Sequence, residues 1–551
     1  MPMKPPRWTP RVELSKLEER LVKGMKSRHL LGFLRLHRHE LFDDAFQDEL
    51  AGMYEVHVKG RVPHPPAFLA MVMLLQAYSG LSDVETVDQA CFDARWRMVL
   101  GLGPVTENDD PPFAQGVLPS FRRRMMAHDM DRRLLERTVE LAKETGEFGH
   151  KNLRLALDAS PLFTASRVED TFNLIGHAAR KVLVAAAVAL GRTTADAESL
   201  AVEAGIPLLA ADPDAKGGSL KARLDVAWEK PEERARALGR LVGEVEALRR
   251  WLGSDPVLGV EPVAAAWKVV QDILDQDIEP DPTGAPTVKD GVAAERRPSI
   301  EDGEARHGRK SRSQKFVGYK RHLAVDLDSK LVLAVAVAPA NKPEGAITSA
   351  VSVDLARVVG VSNASAVATR IASLHVDRAY LSSLLTREVR AAGGAVLCRP
   401  LSPASLGGRY SKSAFKLDLK AGVGTITCPA GIEVRAIPGL TTRFPAGRCQ
   451  TCPLQQACTT SKRGRSVCIH PDEAFFQQLR ERQATPEGRA ALRERTAVEH
   501  KLSRQIRVQG RRARYRTTRK NLLATRVGAT VVNLHTLYQQ ERKREAARLP
   551  A

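Results

Sequence analysis

The sequence predicts an α/β fold built on a mixed sheet, preceded by a helical domain and interrupted by large insertions. Three observations predict it. Residues 30–148 carry helical patterning without a strand signal. Short apolar runs that read as strands then recur at 152–160, 318–340, 373–382 and 393–400, with helical stretches between them. Two of those runs lead to an aspartate, and the last helical stretch carries a glutamate inside a run of arginines and lysines.

In chain order, PPAFLAMVMLLQAYSG (65–80) starts after prolines and stops at glycine, the punctuation of a helix. LSDVETVDQACFDARWRMVLG (81–101) reads as a second helix, with Ser82 as N-cap and Glu85 three residues on as its capping-box partner. LPSFRRRMMAHDMDRRLLERTVELAKETG (118–146) reads as a third. This domain, 1–150, serves either packing or DNA-end binding and dimerisation. NLRLALDAS (152–160) places Leu153, Leu155 and Leu157 on one face with period two and ends in Asp158. Ala/Leu/Glu/Arg-rich helical stretches fill 174–275, and breaker residues mark 280–298 as a loop. GYKRHLAVDLDSKLVLAVAVAPA (318–340) predicts a hairpin turning at Asp326–Lys330. A helix (345–360), a strand leading to Asp377 and a strand in GGAVLCRP follow. The expected organisation is a core beginning at 151–400, a helical insertion at 161–315, a cysteine-rich insertion at 401–487, and a helical part at 488–551 that completes the core with a basic arm.

Charge narrows the function. Among 551 residues Lys plus Arg number 84 and Asp plus Glu 64, a net charge of +20 with pI near 9.8. Such an excess attracts a polyanion, most often nucleic acid. The alternative, an enzyme that is merely basic, fits less well because the charge is clustered. No apolar leader opens the chain, and the longest apolar run, Val182–Leu190, falls short of the roughly 20 residues a membrane helix needs. The expectation is a cytoplasmic, nucleoid-associated protein with no membrane partner. Its seven cysteines then read as free thiols or metal ligands rather than disulfides.

Asp158 and Asp377 each follow a short apolar strand, where side chains reach the open edge of an α/β sheet. Two such carboxylates suit a hard cation such as Mg²⁺. Glu499, on a helix whose Val498, Leu502 and Ile506 form an apolar stripe, would complete a two-metal site for phosphodiester chemistry. Singly, each has a plainer reading, as a turn or cap residue or a surface ion-pair partner. Arg309, Lys310, Arg312, Lys315, Tyr319 and Lys320 lie in a segment with seven Lys or Arg over 306–322, directly after an acidic stretch. Arg495, Arg504, Arg507, Arg511 and Arg512 extend the basic character around Glu499. Both clusters are expected to contact DNA phosphates, with Phe316 and Tyr319 available to stack on unpaired bases; the alternative is a solvated loop and a solvated helix face. Cys428, Cys449, Cys452 and Cys458 follow the pattern C-x20-C-x2-C-x5-C, with Cys468 and His470 close by. The central pair has the spacing of a shared tetrahedral zinc. Reduced thiols in a DNA-contacting loop and a redox-sensitive cluster are the alternatives. Cys91 and Cys398 read as core cysteines, and His37 and His39 as surface or packing residues.

Taken together, LALDASPL, RHGRKSRSQKFVGYKRHLAVDLD, HVDRAY, RTAVEHKLSRQ and GRRARYRTTRKNLLATRVGATVVNLHTL, in this order, resemble the bacterial insertion-sequence transposases of the DDE type. The nearest likeness is to the group numbered eleven eighty-two, within an insertion-sequence-five-like superfamily, and it covers nearly the whole chain. The resemblance implies an RNase H-like core that cuts DNA at element ends and joins the 3′ ends to target DNA, using Mg²⁺ or Mn²⁺. It also implies that Asp158, Asp377 and Glu499 are the catalytic, metal-holding carboxylates. Double-stranded DNA, as terminal repeats and as target, is the implied partner, with a homodimer or larger assembly in the active complex. Arg495 stands four residues before Glu499, as in related transposases. Leu492 occupies the place of a customary tyrosine and Ile506 that of a lysine, which leaves the lysine's work to Arg504 or Arg507. A catalytically inactive DNA-binding regulator and a nuclease without strand transfer are the alternative functions.

Overall fold

The computed structural model describes residues 4–548 apart from 26–29, 56–61, 106–109, 147, 150–151, 211–219, 225, 312, 401–404, 406 and 421–422. Its N-terminal helices are α1 (Lys16–Gly24), α2 (Leu30–Leu41), α3 (Asp44–Ala51), α4 (Pro66–Ser79), α5 (Asp83–Phe92), α6 (Ala94–Leu100), α7 (Val117–Ala127) and α8 (Met130–Glu144). Helix α4 is buried from Pro66 to Gln76 and forms the centre of the group. The capping box of Ser82 and Glu85 forms at α5. Two expected helices are each broken in two. Asp93 divides the first, its carboxylate accepting the N–H groups of Arg95 and Trp96 to start α6. Asp129 divides the second with a left-handed φ of 53°. Both breaks fall on aspartate, whose short polar side chain favours caps and turns over helix interiors.

Strand β1 (Leu153–Phe163) opens the main sheet, and the chain then leaves it for α9 (Thr171–Ala189), α10 (Ala197–Glu203), α11 (Leu220–Arg223), α12 (Pro231–Leu252) and α13 (Glu261–Asp277). These helices bury their own core, with Leu174, Val182 and Leu183 of α9 against Leu241, Val245, Val270 and Ile273. Helix α9 is long and apolar enough to cross a membrane by length and composition, more than the uninterrupted run had suggested. Here its apolar face is used by the inserted core. A short ribbon, β2 (Ile278–Pro280) with β3 (Pro286–Val288), follows in the expected loop. The insertion ends earlier than residue 315, because β4 (Arg306–Arg309) already pairs with β5 (Lys315–Asp326).

The main sheet is completed by β6 (Val332–Pro339), β7 (Ile371–Val376) and β8 (Ala395–Leu397). Across the sheet the order runs β4–β5–β1–β7–β8, with β6 also on β5. β1, β7 and β8 are parallel, whereas β5 is antiparallel to β1, β4 and β6. Helices α14 (Thr348–Val359), α15 (Ala364–Val367) and α16 (Leu384–Ala391) connect these strands. The cysteine-rich stretch forms β9 (Lys416–Lys420), β10 (Val423–Thr427), β11 (Glu433–Ala436), β12 (Thr441–Arg443), α17 (Ala446–Gln450), α18 (Gln455–Cys458) and β13 (Ser466–Cys468), around a small separate core. Four helices close the chain: α19 (Glu473–Ala484), α20 (Pro486–Arg493), α21 (Thr496–Gln509) and α22 (Thr518–Arg548).

The period-two reading of β1 holds. Leu153, Leu155 and Leu157 face a core continuous with the N-terminal helices and with Val351 and Leu355 of α14. Ala156 faces the other side, where Leu323 and Val325 meet Val498 and Leu502 of α21 and Val532 of α22. Asp158 shares that second side, so the fold turns it toward α21.

Candidate active site

Asp158 is not at the end of β1, as expected, but mid-strand, because the antiparallel partner β5 carries the strand on to Phe163. What ends there is the parallel pairing. Leu157 opposite Val376 is the last pair of β1 with β7; Asp158 is the next residue of β1, and Asp377 directly follows the end of β7. Asp158 Oδ1 accepts its neighbour Ala159 N–H at 2.9 Å, and Asp377 Oδ1 accepts Arg378 N–H at 2.6 Å. The third carboxylate comes from α21. Glu499 lies in the first turn of that helix and is 51% exposed, beside the buried Val498. Arg495, one turn earlier, spans the gap: its Nη2 donates to Glu499 Oε1 at 2.9 Å, and its Nη1 lies 3.1 Å from Asp158 Oδ2. The contact to Asp158 is electrostatic rather than a well-directed hydrogen bond, since the buried Nη1 has no hydrogen-bond partner. Burial raises the Asp158 carboxyl above its ordinary range, against the pull of Arg495 and the Ala159 N–H; the charges of Asp377 and Glu499 add to the rise.

Helix α21 is set against the sheet by polar as well as apolar contacts. Val498 and Leu502 face the core as the stripe predicts, but Ile506 is only half-buried and Gln505 is fully buried instead. Gln505 donates to Thr525 O at 3.0 Å and lies over Gly528 of α22, where an added Cβ would come within 2.5 Å of its amide nitrogen. Arg321 of β5, fully buried, ties the C-terminal end of α21 to the sheet. Its Nε donates to Ser160 Oγ at 2.9 Å and its Nη1 to Gln509 Oε1 at 2.8 Å and Gly510 O at 3.0 Å. Sequence reading passed over Arg321, since nothing in a basic run distinguishes a buried guanidinium from a solvated one. It also passed over Tyr380, three residues after Asp377, whose hydroxyl meets His322 Nδ1 at 2.7 Å under the site. Burial raises Tyr380 well above the ordinary range, with Glu344, Asp158 and Asp377 adding to the effect, and lowers His322 to about 3, so both stay neutral at ordinary pH. Burial, with Asp377 adding, pushes the Cys398 thiol up to about 12, in keeping with its reading as a core cysteine. Cys91 is only half-buried.

The basic residues divide into two sets. Arg309, Lys310 and Lys315 are exposed at the tip of the β4–β5 hairpin, while Arg312 lies outside the described residues. Because Gly318 pairs with Phe163, that tip projects beyond the end of β1, on the same edge of the sheet as Asp158 and Asp377. Exposed Arg511 and Arg512 are bound to the same edge: Phe163 N–H donates to Arg511 O at 2.9 Å, and Arg512 Nε donates to Thr164 O at 3.0 Å. Arg507 is exposed on α21. The second set is structural. Tyr319 is fully buried and its hydroxyl donates to Asp302 Oδ1 at 2.5 Å, so it is not placed to stack on a base. Phe316 is buried too, edge-on to Phe163. Lys320 lies 3.5 Å from Glu344, and Arg504 bonds His535 and Gln539 of α22. Arg519 grips the buried Asp131 of α8 through two bonds of 2.6 and 2.9 Å.

Among the described residues no group of three or more His, Cys, Asp or Glu is already placed to hold a metal ion. The three carboxylates offer oxygen donors, the type a hard cation prefers, and the Arg495 guanidinium stands between two of them. The cysteines form a second constellation. Cys428, Cys449, Cys452 and Cys458 line one cavity, whereas Cys468 is exposed on β13 and His470 Nδ1 accepts Asp472 N–H at 3.0 Å. His37, as expected, has a packing role, between Glu40 at 2.9 Å and Glu541 of α22 at 3.1 Å.

No curated protein and no solved structure matches the chain. Family models match two segments. Residues 19–124, within the N-terminal helices, match a transposase domain. Residues 427–538, which include the four cysteines and Glu499, match a transposase DDE domain. Together the two matches support a transposase of the DDE type.

Proposed function

We propose that the protein cuts DNA at the ends of an insertion sequence and joins the freed 3′ ends to target DNA. Asp158, Asp377 and Glu499 would hold one or two divalent ions, Mg²⁺ or Mn²⁺. The observation that carries this reading is the meeting of the three carboxylates: two at the point where parallel β1 and β7 part, and the third on α21, joined to Asp158 through Arg495. The strand order, three parallel strands beside an antiparallel hairpin, supports an RNase H-like core, and the resemblance in sequence suggests the insertion-sequence-five-like group.

A bound divalent ion activates the attacking hydroxyl and stabilises the leaving oxygen in phosphodiester transfer. The chain's own residues do the rest. Asp158, shielded by the sheet and α21, offers a carboxylate in a low-dielectric setting where a cation is bound more strongly than in water. Arg495 offsets the mutual repulsion of Asp158 and Glu499 while no other cation is present. Exposed Arg309, Lys310, Lys315, Arg507, Arg511 and Arg512 would hold the DNA backbone. The cytoplasm, at the nucleoid, is the proposed location and a homodimer or larger complex the proposed active form.

The test is a cleavage and strand-transfer assay on DNA carrying the gene's flanking repeats, with Mg²⁺ or Mn²⁺. Wild type is expected to cut and to join. Cutting without joined products would replace this reading with a nuclease; end binding without either would replace it with a DNA-binding regulator.

A further inference from the structure

We propose that Cys428, Cys449, Cys452 and Cys458 bind one zinc ion, which holds together the small module inserted between the sheet and α19. The four come from separate elements: Cys428 follows β10, Cys449 lies in α17, Cys452 in the loop after it, and Cys458 ends α18. They nevertheless line one cavity of about 20 Å³ with Ile432, Phe444 and Leu454. That volume admits a single water or small ion. No carboxylate or histidine lines it, and a donor set of sulfur alone selects zinc over magnesium or calcium.

The backbone is shaped toward a charged sulfur. Cys428 closes a tight turn with Gly431, whose φ of +82° a side chain would strain, and Ile432 N–H donates to Cys428 Sγ at 3.3 Å. Such N–H donors orient a ligating thiolate and offset its charge. Arg465 adds a cation on the same cavity wall. The module also needs a staple. Its buried core is Phe415, Ile426, Ala436, Phe444, Val467 and Ile469, too few to hold a three-stranded and a two-stranded sheet in place alone. Metal binding supplies folding free energy in modules of this size. The four thiols line the cavity but, among the described residues, are not already placed as a metal-holding group, so ligation requires the sulfurs to draw in around the ion. On binding, the thiols lose their protons to solvent and the sulfurs coordinate the ion.

The full-length chain, purified from zinc-supplemented medium, should carry one zinc per chain by elemental analysis, released when a mercurial blocks the thiols. Cys452→Ser should lose it, whereas Cys468→Ser, altered at the exposed cysteine outside the cavity, should keep it. Cobalt is the second readout, independent of whether Cys452→Ser folds: Co²⁺ exchanged into the wild-type chain should give thiolate charge-transfer and tetrahedral ligand-field bands. A chain without stoichiometric zinc and without those bands overturns the proposal, as does equal zinc loss from the Cys468 and Cys452 variants.

Discussion

Glu499 is a half-exposed carboxylate in a basic helix, and its neighbour Arg495 gives it two states. Without a metal it is an ion-pair partner; with one, the guanidinium has a competitor. Glu499→Gln keeps the size and the hydrogen bond to Arg495 but removes a charge. Loss of one ligand from a metal that supplies several kcal/mol is expected to slow cleavage and joining by about a thousand-fold, while binding of the DNA ends persists in a gel-shift assay. Retained cutting would make Glu499 only a surface pair. At this scale spacing carried part of the meaning: Asp377 follows its strand and Val498 and Leu502 face the core, whereas Asp158 lies mid-strand and Gln505 takes the buried place expected of Ile506. The sequence was not legible for Tyr319, Lys320 and Arg504. Their segments read as DNA-contacting because charge dominated the composition, yet register turned Tyr319 inward and Arg504 bonds to His535 and Gln539 of α22.

Among the elements, α21 places Glu499 and is held by an unusual buried lysine. Lys501 Nζ donates to Thr536 Oγ1 of α22 at 2.6 Å, and burial lowers it from 10.5 to about 7. The unfolded chain therefore binds that proton more tightly than the fold does. Its contribution to stability is worst below about pH 7 and improves as pH rises toward 10.5. Lys501→Met, which fills similar space without charge, is expected to stabilise the protein by about 1 kcal/mol at pH 6 and to flatten the rise in melting temperature with pH. An unchanged pH profile would mean the ammonium is solvated. The element order was readable because periods of two and 3.6 residues alternate along the chain. The breaks at Asp93 and Asp129 were not, since an aspartate inside a helical pattern caps or breaks only when tertiary packing lets it. The span of β1 past Asp158 depended on a partner strand that lies more than 150 residues away in sequence.

Over the whole molecule, part of the basic excess binds the fold together, and part is exposed at the edge that carries Arg309, Lys310, Lys315, Arg511 and Arg512. Asp131 of α8 accepts from Arg519 and from Arg526, and Arg526 reaches Asp354 of α14 at 3.2 Å. Asp131→Ala leaves the buried Arg526 guanidinium, and the part-exposed Arg519, without that partner and is expected to cost about 3–5 kcal/mol in urea unfolding; a loss below 1 kcal/mol would show the network to be solvated. Arg507→Ala and Arg511→Ala should each weaken DNA binding and reduce its salt slope by about 1, while Tyr319→Phe leaves the slope unchanged. Equal slopes for all three would remove the DNA edge assigned to α21 and its following loop. At this scale the charge balance pointed to nucleic acid, but a composition cannot say which arginines face solvent.

The most direct test is Mn²⁺ binding, followed by electron paramagnetic resonance on the protein bound to its end DNA. Wild type should bind Mn²⁺ tightly, and Asp158→Asn, Asp377→Asn and Glu499→Gln should each lose that site while keeping wild-type circular dichroism. Undiminished Mn²⁺ binding in all three variants would contradict a metal site built from these carboxylates.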